Sequence, residues 1–203
     1  MAETAYGRAK VASVVVRPVR YEERARWRQL MNAHHYLGFW PIVGESLWYV
    51  ASSAEQWVAL LGWGAAALKC GARDAWIGWT PSLKFPRLHL IANSVRFLIL
   101  PWVRIRYLAS HLLAQAARQL ARDWRAAYQV PPLLLETLVD AARFPGTCYR
   151  AANWIEVGLT QGRGRMDRTG QAQDRSPKHI FLYPLHPQAR QLLCRQPSSR
   201  SCS

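Results

Sequence analysis

The densest run of chemically capable residues lies between Phe144 and Arg165: Phe-Pro-Gly-Thr-Cys-Tyr-Arg-Ala-Ala-Asn-Trp-Ile-Glu-Val-Gly-Leu-Thr-Gln-Gly-Arg-Gly-Arg. Gly146 and Thr147 are placed to open a short helix, whose positive end favours an anion, and Arg163 and Arg165 add fixed charge beyond it. Gly162 and Gly164 leave the backbone bare enough to approach a phosphate that the two guanidiniums would flank. The competing reading of that pair is a charged hairpin tip. Asn153 either reads a nucleobase edge or ties down its own helix, and Trp154 either stacks on a base or, as its size favours, fills core. A phosphate-bearing partner is the expectation.

Other candidates are scattered. His34, His35 and Tyr36 offer a base and a hydrogen bond at a cleft edge, or else a helix-ending turn with Tyr36 packed. Asp74, in Arg73-Asp74-Ala75-Trp76, pairs with Arg73 or caps a helix if structural, and joins His35, Tyr36 and Tyr149 as a candidate catalytic group if not. Glu136 and Asp140 lie four apart near a strand end and would hold a metal or act as acid and base; Glu136 follows three leucines, so burial would demand a partner such as Arg96 or Arg150. The four cysteines form no CxxC pair and have no histidine at zinc-finger spacing, which argues against a disulfide framework or a structural zinc site.

With 27 Lys+Arg against 12 Asp+Glu, the formal net charge of +15 attracts polyanions, and nucleic acid, DNA foremost, is the expected partner. Many arginines adjoin rings, as in Arg26-Trp27-Arg28, Arg96-Phe97, Arg106-Tyr107 and Trp124-Arg125, a pairing that suits phosphates and unstacked bases, or simply covers core aromatics. The N-terminus lacks a basic region followed by an apolar one, and the apolar run 57–68 is too short to span a bilayer. A soluble, cytoplasmic protein without membrane contact is expected.

The 203 residues, half of them hydrophobic, fit one domain, placed at 1–185. The pattern predicts a strand over 11–19, an exposed helix over 21–32, strands over 45–51 and 56–68 joined by Ser52-Ser53-Ala54-Glu55, and a loop over 81–86. It continues with a strand over 88–100, bulged at Asn93-Ser94 and closed by Pro101, and a helix over 105–128 striped by Leu113, Ala117, Leu120, Trp124 and Tyr128. A buried strand over 133–139, a short helix over 147–156, a strand including 158–160 and a last strand over 180–183 complete it. Residues 186–203, basic and rich in Pro, Ser and Gln, read as a tail, disordered from 197.

Taken together, His35-Tyr36-Leu37-Gly38, the run from Ala72 to Trp79, the run from Asn93 to Val103 and the opening segment resemble the DruA-like family. That resemblance runs from about His34 to Leu185 and implies a prokaryotic protein acting around foreign or mobile DNA, in Druantia anti-phage defence or on transposons, with a helicase or other defence proteins as partners. The element order also resembles the GNAT-type N-acetyltransferase scaffold, and Mom-type phage DNA-modification proteins on it carry a similar Gly-Thr-x-Tyr-x-Ala-x-Asn-Trp run. The implied fold is α+β: a single domain with an acetyltransferase-like central mixed sheet flanked by helices. The scaffold's pyrophosphate-binding Arg-x-x-Gly-x-Gly/Ala turn corresponds to 104–109, where Arg104 and Ala109 match but Tyr107 replaces glycine. Its late tyrosine, a general acid, corresponds to Trp154, whose indole is no practical acid, so standard acetyl-CoA chemistry is disfavoured.

The leading expectation is phosphate binding through Arg96, Arg104, Arg106, Arg163 and Arg165, with Asn153 on bases. The alternatives are a nucleobase-modifying or acyl-type transferase, and a partner-recruiting defence subunit without catalysis.

Overall fold

The computed structural model describes residues 11–42, 44–160, 165–166, 172–173 and 176–195. Strands β1 (Val15–Pro18), β2 (Ser46–Ser53), β3 (Gln56–Ala65) and β4 (Ile91–Ile99) form an antiparallel meander. The β2–β3 turn is only Ala54-Glu55, both at positive φ (45° and 63°), the geometry a two-residue hairpin needs to match strand twist. Strand β5 (Leu134–Asp140) joins β4 in parallel, and β9 (Lys178–Pro184) and β6 (Ile155–Leu159) continue antiparallel. The order β1-β2-β3-β4-β5-β9-β6 makes a seven-stranded mixed sheet; β7 (Arg165–Met166) and β8 (Ala172–Gln173) pair separately.

Side chains alternate across the sheet, and the helices divide accordingly. Helix α1 (Arg24–His34) lies on the face of Trp48, its Trp27 stacked on that ring at 4.8 Å. Although arginine-rich outside, α1 buries Trp27 and Met31, four apart and so on one side. Helix α4 (Leu108–Tyr128) lies on the opposite face, where Tyr49 donates its hydroxyl proton to Asp123 at 2.7 Å. The α4 stripe is buried at Leu113, Ala117, Leu120 and Trp124, as its period predicts.

Helices α2 (Gly71–Ile77) and α3 (Pro81–Lys84) and the 3₁₀ turn Phe85–Leu90 precede β4; the stretch expected to be loop is helical because Pro81 sits at a helix start, where it lacks only an N–H that has no partner anyway. Helix α5 (Thr147–Ala151) follows β5. Helix α6 (Ala189–Cys194) falls in the stretch read as tail and buries Ala189 and Leu193, while residues 197–203 lie outside the described residues.

One feature of the sheet decides where a site can be. The parallel strands pair only at Ile91↔Leu134, Ala92↔Leu135 and Asn93↔Glu136, after which β4 keeps β3 alone and β5 keeps β9 alone. The register of β3 against β4 shifts between Gly62 and Trp63, leaving Val95 as the extra residue of a bulge beside the polar pair that signalled it. The sheet therefore opens into a splay.

Candidate functional site

At the closed end of the splay is a buried charge network. Arg73 is fully buried; its Nη1 donates to Glu136 Oε2 at 2.8 Å and to Ala67 O at 2.7 Å, while Nε and Nη2 donate to Asp74 Oδ1 at 2.9 and 2.7 Å. Lys84 Nζ donates to Asp74 Oδ2 at 2.6 Å, Trp79 Nε1 to Oδ1 at 3.2 Å, and the Ala67 N–H to Glu136 Oε1 at 2.6 Å. Burial pushes the Glu136 carboxyl above its usual range, against the pull of the Arg73 guanidinium and the Ala67 amide. The buried partner expected for Glu136 is thus Arg73, not Arg96 or Arg150. Arg150 donates instead to Glu156 and to Pro145 O. Asp74 spends Oδ1 on Arg73 and Trp79 and Oδ2 on Lys84 of α3, and Glu136 and Asp140, expected as a metal or acid–base pair, answer to separate arginines.

At the open end, α1 runs out into His35-Tyr36-Leu37-Gly38, and Arg96 on β4 holds that turn by donating from Nε to Gly38 O at 2.9 Å; its Nη1 goes to Val95 O at 2.7 Å. The Leu37 N–H donates to His35 Nδ1 at 3.1 Å, so a neutral His35 carries its proton on Nε2 and offers a donor there, not a base. Burial first, and the Arg96 charge second, lower the His35 pKa to about 4. The ring stays neutral at pH 7.

Rings from three separate segments meet here. His34 packs edge-on to Trp102 at 5.2 Å, His35 stacks on Tyr36 at 4.8 Å, and Tyr36 reaches Phe144, just beyond β5, at 5.7 Å. Arg143, paired with the buried Asp140, lies 4.9 Å over the Tyr36 ring. Asp140 also accepts from the Ala142 N–H at 3.0 Å, which fixes the turn that presents Arg143 and Phe144. Tyr36 is 40 %, Trp102 45 % and Phe144 46 % exposed, so each keeps part of its surface in solvent, with His35 and Arg143 already lying against the Tyr36 ring. Trp102 lies in the 93–103 run and Phe144 heads the 144–165 run, but the sequence singles out neither ring as a binding residue, and for Arg143 the adjoining ring in Arg143-Phe144 was the available signal.

The turn into α4 shares this end through Trp102. Arg104 braces it, donating from Nη1 to Pro101 O at 2.6 Å and Val103 O at 3.0 Å, and Arg106 lies 5.4 Å over the Tyr107 ring. Tyr107 takes φ 60° and ψ 10°, the left-handed conformation a glycine would supply, and its ring is 72 % exposed, turned away from the core. Tyr149 is different: it is buried against Phe181 at 5.3 Å and edge-on to Trp154 at 5.3 Å, and burial raises its phenol well above the ordinary range. Trp154 is core, 4 % exposed. Asn153 closes α5 at φ 62°, its N–H bonded to Arg150 O at 3.0 Å. Arg163 lies outside the described residues, and Arg165 is described only as part of β7. The structure thus brings His35, Tyr36 and Arg96 together at the open end, sets Arg104 in the turn after β4 and Arg106 against Tyr107, and leaves Asp74 with its ion pairs and Tyr149 in the core.

The profile of the family described as Druantia protein DruA matches residues 7–192. The chain belongs to the DruA family. This DruA-family chain shares its fold with N-acetyltransferases of known structure. The spermidine/spermine N-acetyltransferase of Vibrio cholerae superposes with a TM-score of 0.55 at 10 % identity, covering 86 % of this chain and 94 % of that one. The polyamine N-acetyltransferase of Drosophila melanogaster gives 0.51 at 15 %, covering 84 % and 99 %. The ribosomal-protein-S18-alanine N-acetyltransferase of Escherichia coli gives 0.52 at 10 %, covering 92 % and 97 %. At such identities the likeness is one of fold. No curated protein matches the sequence. No helix among the described residues of this DruA-family chain is long and apolar enough to cross a membrane.

The His35 environment carries a pH prediction. The imidazole has its ordinary pKa near 6.5 when unfolded and about 4 when folded, so the unfolded chain binds the extra proton between those values. The His35 contribution is therefore complete above pH 6.5 and is lost as pH falls toward 4. In urea melts across pH, the stability difference between wild type and His35→Asn should be largest above pH 6.5 and shrink toward pH 4; a constant difference would show that the ring is not held neutral.

Proposed function

We propose that this DruA-family protein binds single-stranded nucleic acid across the open end of the splay, in a prokaryotic anti-phage defence or mobile-element setting. The observation that carries the reading is the ring series His34–Trp102 and His35–Tyr36–Phe144, with Arg143 over Tyr36 and Arg106 over Tyr107. Exposed aromatic faces flanked by guanidiniums suit unstacked bases alternating with phosphates, and a paired duplex would hide the base faces that such rings need. In this reading Tyr36, Phe144 and Trp102 take bases, Arg104, Arg106 and Arg143 take phosphates, and Arg96 and His35 hold the platform in place. Arg163, Arg165 and Asn153 stay in the reading on their sequence motif alone.

The test is fluorescence anisotropy of labelled single- and double-stranded DNA at several salt concentrations. The single strand should bind more tightly, with log K falling linearly against log salt; Arg106→Ala should flatten that slope by about one unit or less. Tyr36→Ala should cost about 1–3 kcal/mol with the slope unchanged. Absence of binding at low salt, or a flat salt dependence, would reject the proposal.

A second reading, transfer of a small group to a nucleobase, is supported by the acetyltransferase fold and by one local observation. The indole N–H groups of Trp63 and Trp154, on rings 6.5 Å apart under the splay, are buried without hydrogen-bond partners, and an acceptor-bearing ligand would relieve a cost of about 1–3 kcal/mol for each. Mass spectrometry of nucleosides from cells with and without the protein decides it: unchanged nucleosides alongside intact DNA binding leave the binding reading alone.

A further inference from the structure

The opposite end of the sheet carries a second cleft. Pro184 pairs with Leu134 at the start of β5, roughly 20 Å of strand away from the ring platform. Between α2 and α6 lies a groove of about 460 Å³, largely open to solvent and walled by Trp76, Pro184, Pro187, Gln188, Arg190 and Gln191.

Its outer wall is firmly built. Helix α6 buries Ala189 and Leu193, Cys194 Sγ donates to Ile77 O at 3.3 Å, and Arg87 donates to Leu193 O at 2.8 Å and also to Arg195 O, satisfying the end of the helix. A segment whose composition gives little reason to fold is thus pinned beside α2.

The chemistry of the lining is selective. Among the described residues Arg190 is the one charged group on the groove wall, and its guanidinium lies 5.1 Å over the partly buried Trp76 ring, so an anion on a flat ring system is matched on both counts. Gln188 and Gln191, three apart and both exposed, add amide donors and acceptors of the kind that read base edges. An arginine stem covering Trp76 would account for the cation–ring contact by itself, but would need neither the groove nor the paired amides.

We infer that this cleft binds a nucleotide, with the base on Trp76, its edge against Gln188 and Gln191, and the phosphate on Arg190. The site is separate from the open end of the splay and does not depend on the reading given there. The nucleotide is either free or the end of a strand, and the two sources present the same base and phosphate.

The experiment follows the Trp76 indole signal in ¹H–¹⁵N spectra of the full chain, assigned with Trp76→Phe, during titration with nucleoside 5′-monophosphates and, separately, a trinucleotide. A saturable shift of that signal is expected. The exposed variant Arg190→Ala should weaken it at least tenfold, Gln188→Ala/Gln191→Ala should level the preference among bases, and Tyr36→Ala should leave it unchanged. Tighter binding of the monophosphate identifies a free nucleotide, and tighter binding of the trinucleotide a strand end. A Trp76 signal that neither ligand moves, as when a protein partner occupies the cleft, overturns the inference, and so does a shift indifferent to Arg190→Ala.

Discussion

Glu136→Gln should lower the free energy of unfolding by about 3–5 kcal/mol, the cost of leaving a buried arginine with only the part-exposed Asp74 as counter-charge. Both side chains of the Arg73–Glu136 pair are fully buried, and Glu136 also receives the Ala67 N–H, so no water is at hand to replace the lost charge. The pair fastens α2 to the last ladder rung between β4 and β5, so the damage should be global and appear as a lower urea midpoint with an unchanged slope. The double variant Arg73→Met/Glu136→Leu should recover much of the loss, because two apolar chains of similar bulk remove both charges together. A loss below about 1 kcal/mol in the single variant would mean that Asp74 alone neutralises Arg73.

The next largest effect is expected at Gly146. It takes φ +74°, and an added Cβ would lie 2.6 Å from Phe181 Cε2 and closer still to Cζ. Gly146→Ala combines left-handed strain of about 1–2 kcal/mol with overpacking of about 1–3 kcal/mol, and should lose about 2–5 kcal/mol in all. Gly78 supplies the control, since it has φ +83° but nothing within 4 Å of its missing Cβ. Gly78→Ala should show the strain alone, so the difference between the two variants in chemical melts measures the packing of α5 on Phe181. Equal losses would refute that packing role. The glycine first noticed as the start of an anion-binding helix therefore has a packing requirement of its own.

The sequence conveyed what is local. Period alone located α4, β-branched and apolar runs located the strands, and Asn93-Ser94 marked the bulge to within two residues of Val95. Prolines misled where they begin elements: Pro81 reads as a breaker yet opens α3. Helix α6 was missed because its order comes from outside, through Arg87 and Ile77, more than a hundred residues away. Pairing was the hardest to read. Arg73 and Glu136 are 63 residues apart, and nothing in either neighbourhood distinguishes Arg73 from Arg96 or Arg150 as the partner. The same limit hid the ring platform, whose members Tyr36, Trp102 and Phe144 become neighbours only when three loops converge.

The brief parallel ladder also bears on assembly during synthesis. Strands β1 to β4 pair in chain order once Ile99 has emerged, with the β2–β3 hairpin local and the β1–β2 and β3–β4 partners 31–37 and 27–40 residues apart. The three rungs to β5 join residues 43 apart, a loop hardly longer than the widest β3–β4 span, but they must wait for the whole α4 crossover and so form after the meander is complete. The ribosome thus releases the meander first, and the strand that completes the seam arrives only after α4 is available to cover it.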